Sequence, residues 1–479
     1  MTKRLQSLFN IRRQSTVSGL WHPFATPPYP TNFSNLISPF YGRNVATTPR
    51  RMDSITPYAS PKTYAPVEYM PLEDIEKPER YRPGGYHPIA IGNHLSGRYN
   101  VVHKLGFGAY STTWLARDRN TEKYVAVKIA IAEADMPDST ILNNLAHLEP
   151  REEGHPGKAL IPRVLDMFSL DGPNGRHRCL VTEPGMMTIA EAKDTSYTRL
   201  FKLPVARAIM AQVIQAVAFL HHQGVVHADL HAGNIMFCFP NSIDELSPGE
   251  LYQKYGQPNI EPFVRLDSKP LSNGVPTHGV VPIWLGKESE LVTLSEAKIF
   301  INDFGESFLP SITQRHYSNT PGILAPPETY FLLHEPLSFP SDVWTLACTL
   351  WDIIGQRPLF EGFNPSSDWM IKEHVDALGK LPCDWWHKWD ARGRWFTEDA
   401  KRTSEGAGRS LVSRFVDSIQ EPRRGSAMED VGEAEMNALL TMLRGMLAFR
   451  LNERLTSTEI IESEWMLRWA LPELGKVAT

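Results

Sequence analysis

The sequence predicts an α+β fold, a small antiparallel β-sheet lobe followed by a larger helical lobe. Three observations predict it. Short β-branched, apolar runs crowd into residues 99–129, each bounded by glycine or polar residues. Apolar stripes at helical spacing dominate beyond residue 200. The two patterns follow one another along the chain, strands first and then mostly helices, with no internal repeat.

The chain has 479 residues, 42% hydrophobic and 22% charged. Those are globular values and exclude a wholly disordered chain or a collagen-like fibre. The length suits one large domain or two to three smaller ones. The 38 prolines exceed the usual level of about 5% and point to a Pro-rich segment.

That segment is residues 1–80, rich in Pro, Ser, Thr and Tyr and without clear periodicity. Through Met52 it holds seven basic residues, and its first acid is Asp53. A disordered extension is expected; the composition also fits a mitochondrial transit peptide. The strand candidates then come in order: Tyr99–Leu105, Trp114–Arg117 and Tyr124–Ile129. Ile141, Leu142, Leu145 and Leu148 recur at helical spacing, and Ile209, Val213, Val217 and Leu220 mark a helix stopped at Gly224. Val225-Val226 reads as a short buried strand. Further helices are predicted over 341–355, 433–447 and 457–467.

A net charge of −5 gives no global basic field, so direct nucleic-acid binding is not expected. No uncharged run of 18 or more apolar residues is present, and no membrane span is expected. Cys179, Cys238, Cys348 and Cys383 form no CxxC pair and read as ordinary thiols in a reducing compartment.

Four motifs carry chemistry. Gly106-Phe-Gly108-Ala-Tyr-Ser111 lies between two strand candidates, where glycines let backbone amides approach phosphate. Lys128 ends an apolar strand, where burial is costly without an anion. His227-Ala-Asp229-Leu-His231-Ala-Gly-Asn234 offers a carboxylate to accept a proton and a neutral oxygen for Mg²⁺. Asn302-Asp303-Phe304-Gly305 follows an apolar strand and offers a second metal ligand. Each is ambiguous alone; their order and spacing form the protein-kinase signature set. Pro326-Pro327-Glu328 resembles the Ala-Pro-Glu motif, Asp342-Val-Trp344 the helix that anchors the catalytic loop, and Arg454 the arginine that pairs with the motif glutamate.

The chain resembles a eukaryotic protein kinase and, more narrowly, an SR-protein kinase of the fungal type. The lead-in Tyr81-Arg-Pro-Gly-Gly-Tyr-His-Pro-Ile-Ala-Ile-Gly92, Gly-Arg-Tyr at 97–99, Ser111-Thr-Thr-Trp-Leu and Ala228 carry that narrower likeness, over residues 81–470. The resemblance implies a bilobal kinase fold with an N-lobe over 81–185 and a C-lobe over 186–475. A family-type spacer would occupy about 238–297, with Leu251-Tyr252 and Val281–Trp284 as docking points or the whole as an inert loop. It implies ATP and Mg²⁺ as cofactors and transfer of phosphate to Ser/Thr of Arg-Ser-rich splicing proteins. Asp229, as the base, Asn234 and His231 would be the catalytic residues, and Asn234 and Asp303 the metal ligands. ATP would lie against Leu105, Gly106, Phe107, Gly108, Ala109 and Ser111. Thr113, Ala126 and Lys128 would line it further, with Thr182 as gatekeeper and Glu183 and Gly185 in the hinge. Phe304, Gly305, Glu328, Asp342 and Arg454 would be structural. A monomer in cytoplasm and nucleus is expected.

The sequence also departs from the family. Ala228 replaces an arginine that reads activation-loop phosphate, so activity without phosphorylation, for instance of Thr320, is expected. His231 replaces a lysine. Alignment on Ile141-Leu142 puts Thr140 where a helix glutamate should meet Lys128, with Glu133 and Glu149 the nearest carboxylates. Two alternatives follow: a small-molecule phosphotransferase of the aminoglycoside or choline type, whose loop reads similarly, or a weakly active pseudokinase scaffold.

Overall fold

The computed structural model describes residues 68–134, 136–146, 154–317, 319–403 and 408–477. The basic N-terminal stretch through Met52, Leu148 and Glu149 lie outside the described residues.

Strands β1 (His94–Leu95), β2 (Tyr99–Phe107), β3 (Ser111–Asp118), β4 (Tyr124–Ala130), β5 (Val164–Gly172) and β6 (Gly175–Thr182) form one sheet in the order β1-β2-β3-β4-β6-β5. Every neighbouring pair is antiparallel. The three strands legible in the sequence are its centre. The β5–β6 hairpin was not, because Asp166, Asp171, Arg176 and Arg178 break up its apolar pattern. One sheet face buries Tyr99, Val101, Trp114, Ala116, Val127 and Val181. Side chains alternate across a strand, so Ala126 and Lys128 project from the other face.

The second lobe is built around the helix Leu203–His222. Pro204 sits in its first turn, alanines recur through its interior among Val, Ile and Leu, and Gly224, at φ +75°, follows its end. It is long and apolar enough to cross a bilayer, yet it is the core helix of this lobe, with Ile209, Val213, Val217 and Leu220 fully buried against Trp344, Leu350 and Trp351. Those partners come from the helix Phe339–Ile354. Beside them β7 (Gly185–Thr188), β8 (Ile235–Cys238) and, later in the chain, β11 (Ile299–Ile301) form a small sheet ordered β11-β8-β7. Helices Glu433–Met446 and Ser457–Ile461 occupy the predicted places.

Two expectations need correction. Residues 68–80, expected to be disordered, are folded: Tyr69, Ile75 and Glu76 are buried, and Glu76 pairs with the fully buried Lys104 of β2. Their apolar residues are few, so periodicity could not reveal them. The segment 238–297 is not an inert loop. It carries the helix Pro248–Tyr255 and the hairpin β9 (Ile260–Pro262) and β10 (His278–Val280). Leu251 is buried with Val102, Leu115 and Tyr124 of the sheet. The Tyr252 hydroxyl donates to the Val102 carbonyl at 2.7 Å, and the Ile283 amide to that of Lys104 at 2.8 Å. Trp284 stays exposed.

Candidate active site

The catalytic candidates sit where strands end. Asn234 immediately precedes β8 and Asp303 follows β11 by one residue; the Asn302 amide donates to the Asn234 carbonyl at 2.7 Å and draws the two loops together. Asp342, buried at the start of its helix, accepts from the amides of His227 and Ala228 at 2.7 and 2.9 Å. That pair of bonds holds Ala228 at φ +65°, a conformation an alanine adopts only when its surroundings impose it. Asn234 Nδ2 donates to the Asp229 carbonyl at 2.8 Å and to Oδ2 at 3.2 Å. Asp229 Oδ1 is buried with no hydrogen-bond partner, an acceptor left for something outside the protein.

His231 turns back on its own loop. Its Nδ1 accepts from the Gly233 amide at 3.0 Å, and Nε2 stands 3.8 Å from Asp229 Oδ2. A Cβ at Gly233 would lie 2.8 Å from the imidazole, so glycine is required there. His227 stacks edge-on against the buried Phe304, centroids 5.1 Å apart.

Across the cleft, Lys128 Nζ donates to Asp303 Oδ1 at 3.0 Å and to Asp138 Oδ2. Burial pushes the lysine pKa down, but the two carboxylates outweigh it and raise it overall. Lys128 in turn holds the Asp303 carboxyl below its ordinary value. The carboxylate that meets the lysine is therefore Asp138, not a residue at Thr140. It lies in the first turn of the helix Pro137–Ala146. Met136-Pro137-Asp138 carries a helix-start signal, Pro then an acid, which outranks the apolar spacing used to place Thr140. Glu133 faces away and pairs with Arg82 at 2.9 Å. Gly305 lies between the acids: its Cβ would meet Asp303 and Asp138 oxygens at 3.3 and 3.4 Å.

The glycine turn spans the end of β2 and the start of β3, with the Gly108 amide donating to the Ser111 carbonyl at 2.8 Å. Neither Gly106 nor Gly108 has positive φ, and nothing lies within 4 Å of an added Cβ at either. Protein packing does not demand glycine there; a ligand approaching the backbone would. Leu105 and Phe107 are half-buried in β2, Ala109 follows the turn's second glycine, Thr113 pairs with Lys128, and Ala126 pairs with Thr182 at the end of β6. Glu183, exposed and paired with Arg163, links to Gly185, whose missing Cβ makes room for Met236.

The residues fit ATP with Mg²⁺. Asn234 commits its Nδ2 to Asp229 and so leaves its side-chain oxygen as a donor; with the Asp303 carboxylate, on the loop joined to it through the Asn302 amide, it supplies two hard oxygen donors of the kind that hold Mg²⁺ together with substrate phosphates. Among the described residues no cluster of three or more His, Cys, Asp or Glu forms a self-sufficient metal cage.

The segment after Phe304-Gly305 is internally braced. Arg315 Nη1 donates to the Glu306 carboxylate at 2.8 Å, Asn319 donates to the same carboxylate at 2.8 Å, and Val226 pairs with Phe308. Thr320 is buried and its hydroxyl donates to the Ala228 carbonyl at 2.9 Å, so it is a packing residue. Arg454 forks onto Glu328 with two bonds of 2.9 Å, and Ser341 adds a third at 3.0 Å.

Residues 99–243 match the family model for the protein kinase domain. A serine/threonine protein kinase of Aspergillus fumigatus is 26% identical over 355 residues, 70% of this chain and 82% of that protein. Human SRSF protein kinase 3 is 32% identical over 170 residues, 35% of this chain but 30% of that protein. Caenorhabditis elegans serine/threonine-protein kinase spk-1 is 33% identical over 171 residues, 34% of this chain and 17% of its own length. A solved kinase-domain structure shares the fold, with TM-score 0.53 at 15% identity over 80% of this chain and 98% of that one.

Proposed function

From the premise that this chain carries a protein kinase domain, we propose that it is an ATP- and Mg²⁺-dependent serine/threonine kinase acting on Arg-Ser-rich proteins. The observation that carries the reading is the unpartnered, buried Asp229 Oδ1, whose neighbouring Oδ2 is held by Asn234. Asp229 accepts the proton of the substrate hydroxyl as its oxygen attacks the γ-phosphorus and ADP leaves. Asn234 fixes the Asp229 carboxylate through Oδ2, so that Oδ1 is the oxygen presented. Lys128, kept charged by two carboxylates, holds phosphate oxygens. Mg²⁺ held by Asn234 and Asp303 would neutralise charge on the transferring group. The Arg315–Glu306 brace supports activity without phosphorylation, since a carboxylate already occupies the arginine.

Asp138 weakens the scaffold alternative, because the lysine does have its acidic partner. The Glu328–Arg454 tie and the braced segment favour a protein substrate over an amino-alcohol. The substrate class rests on likeness to SRSF kinases. The test is phosphate transfer from labelled ATP–Mg²⁺ to an Arg-Ser-repeat peptide by unphosphorylated protein, wild type against Asp229→Asn. We expect transfer by the wild type and a loss of about 10²- to 10⁴-fold in the variant. Transfer to amino-alcohols alone, or to neither, would sink the reading.

A further inference from the structure

The chain preceding the sheet reaches over the tip of the glycine turn. Arg80 closes the short helical turn Pro78–Arg80; its guanidinium donates to the Ala109 carbonyl and lies 5.0 Å over the Tyr86 ring. The Tyr86 hydroxyl donates to the Gly108 carbonyl, and its side chain is buried. The next carbonyl, of Tyr110, accepts from the Ile131 amide at 2.9 Å. Beyond it, the amides of Ala132 and Glu133 donate to the carbonyls of Gly85 and Gly84 at 3.1 and 2.9 Å. The same segment is anchored to β2: Glu76 accepts from both the Tyr81 hydroxyl and Lys104 Nζ.

A trans peptide sets its C=O and N–H on opposite sides. Holding the Gly108 and Ala109 carbonyls toward residues 80–86 therefore aims the amides of Ala109 and Tyr110 the opposite way. Such amides are what a glycine turn offers to phosphate. The segment is itself backed by the insert. Tyr81 packs on Tyr86 and on Phe263, with centroids 5.5 and 6.1 Å apart. Asn174 Nδ2 donates to the Tyr86 and Gly274 carbonyls at 2.7 and 2.9 Å.

We propose that residues 76–86 form a strap that sets nucleotide affinity, with Arg80 and Tyr86 as positioning residues that orient the glycine turn through its carbonyls, and with the insert as their backing. The inference rests on the ATP reading above. Its test uses the full chain. Tyr86→Phe keeps the ring and removes only the hydroxyl; Arg80→Met keeps the stem and removes the donor. Each is expected to raise KM for ATP by about three- to tenfold, the scale of one hydrogen bond, with kcat and peptide KM changed by less than about twofold. Arg80→Lys, which retains a donor, is expected to recover part of the loss, and Phe263→Ala in the insert to reproduce a smaller shift of the same kind. An unchanged ATP KM in both Tyr86→Phe and Arg80→Met, in a protein whose wild type turns over ATP, overturns the strap. So does a fall in melting temperature and kcat together with a rise of both KM values alike, which marks a merely structural contact. A wild type that binds no ATP overturns the kinase reading instead.

Discussion

Lys128 keeps its charge at the end of an apolar strand because two carboxylates face it, and they are not equivalent. On the proposed ATP–Mg²⁺ reading Asp303 is the residue a bound metal would claim, which leaves Asp138 as the fixed partner. Its side chain is almost fully buried and its bond to the ammonium is charge-assisted. Asp138→Ala removes that bond while leaving the helix, whose apolar residues Ile141, Leu142 and Leu145 remain packed. A hydrogen bond to a charged group contributes roughly 1.5–3 kcal/mol, so kcat/KM is expected to fall about 10- to 100-fold. Steady-state kinetics on purified protein with an unchanged melting temperature would check this; an unaltered rate would restore the scaffold reading. Asp138 was not legible from the apolar spacing, because an aspartate, one methylene shorter than the expected glutamate, meets the lysine from the first turn of the helix, ahead of the apolar residues that set the alignment. The convergence of the loops that carry Asp229, Asn234 and Asp303 was legible, because each loop is short and sits at a strand end, where sequence order and spatial order coincide.

At the scale of elements, a buried fork ties the activation-segment end of the helical lobe to its C-terminal part. Glu328 opens the short helix Glu328–Phe331, and Arg454 reaches it across 126 residues. Arg454 also donates to the Pro340 carbonyl at 2.7 Å and lies 5.2 Å over the Trp344 ring. Arg454→Met therefore strands a buried carboxylate that, among the described residues, retains only the Ser341 hydroxyl. Losing one partner of a buried pair costs about 3–5 kcal/mol, so the denaturation midpoint is expected to drop accordingly. The double variant with Glu328→Gln is expected to regain part of it, since no unpaired charge remains. A midpoint within experimental error of wild type would show that the pair is dispensable. The sequence announced this tie through two short motifs. It did not announce the brace of Arg315 and Asn319 on Glu306, because neither spacing nor residue type distinguishes those side chains from ordinary surface polar residues until the segment folds back on itself.

For the whole molecule, the parts hidden from sequence reading are those that depend on long-range packing: the strap, the insert's contacts with the sheet, and the polar groups that packing entombs. The last have a measurable consequence. His374 is fully buried among Trp344 and Phe360, with ring centroids 4.9 and 4.6 Å away, and neither ring nitrogen has a partner. Burial lowers its pKa to about 3; Glu373 opposes the shift, while Arg414 and Arg454 add to it. Burial likewise lowers the nearly inaccessible His103 to about 4. In the unfolded chain both titrate near the ordinary 6.5. Between about pH 6.5 and those folded values the unfolded state binds protons that the folded state cannot, so stability is fully present above 6.5 and declines as pH falls. Each such histidine contributes a slope of up to about 1.4 kcal/mol per pH unit. Glu373, held at about 2 by Arg414 and Lys372 against its burial, and Asp118, held at about 2 chiefly by Arg98, add their losses only below about pH 4.5. Melting temperature is therefore expected to be flat from pH 8 to 7 and to fall steadily from 6.5 toward 4.5. His374→Phe, which keeps an aromatic ring in an aromatic cage and has no proton to exclude, is expected to flatten that fall by about one proton's worth. A wild-type profile that is level down to pH 4.5, or a variant whose slope matches it, would show that His374 is hydrated or protonated in the folded protein.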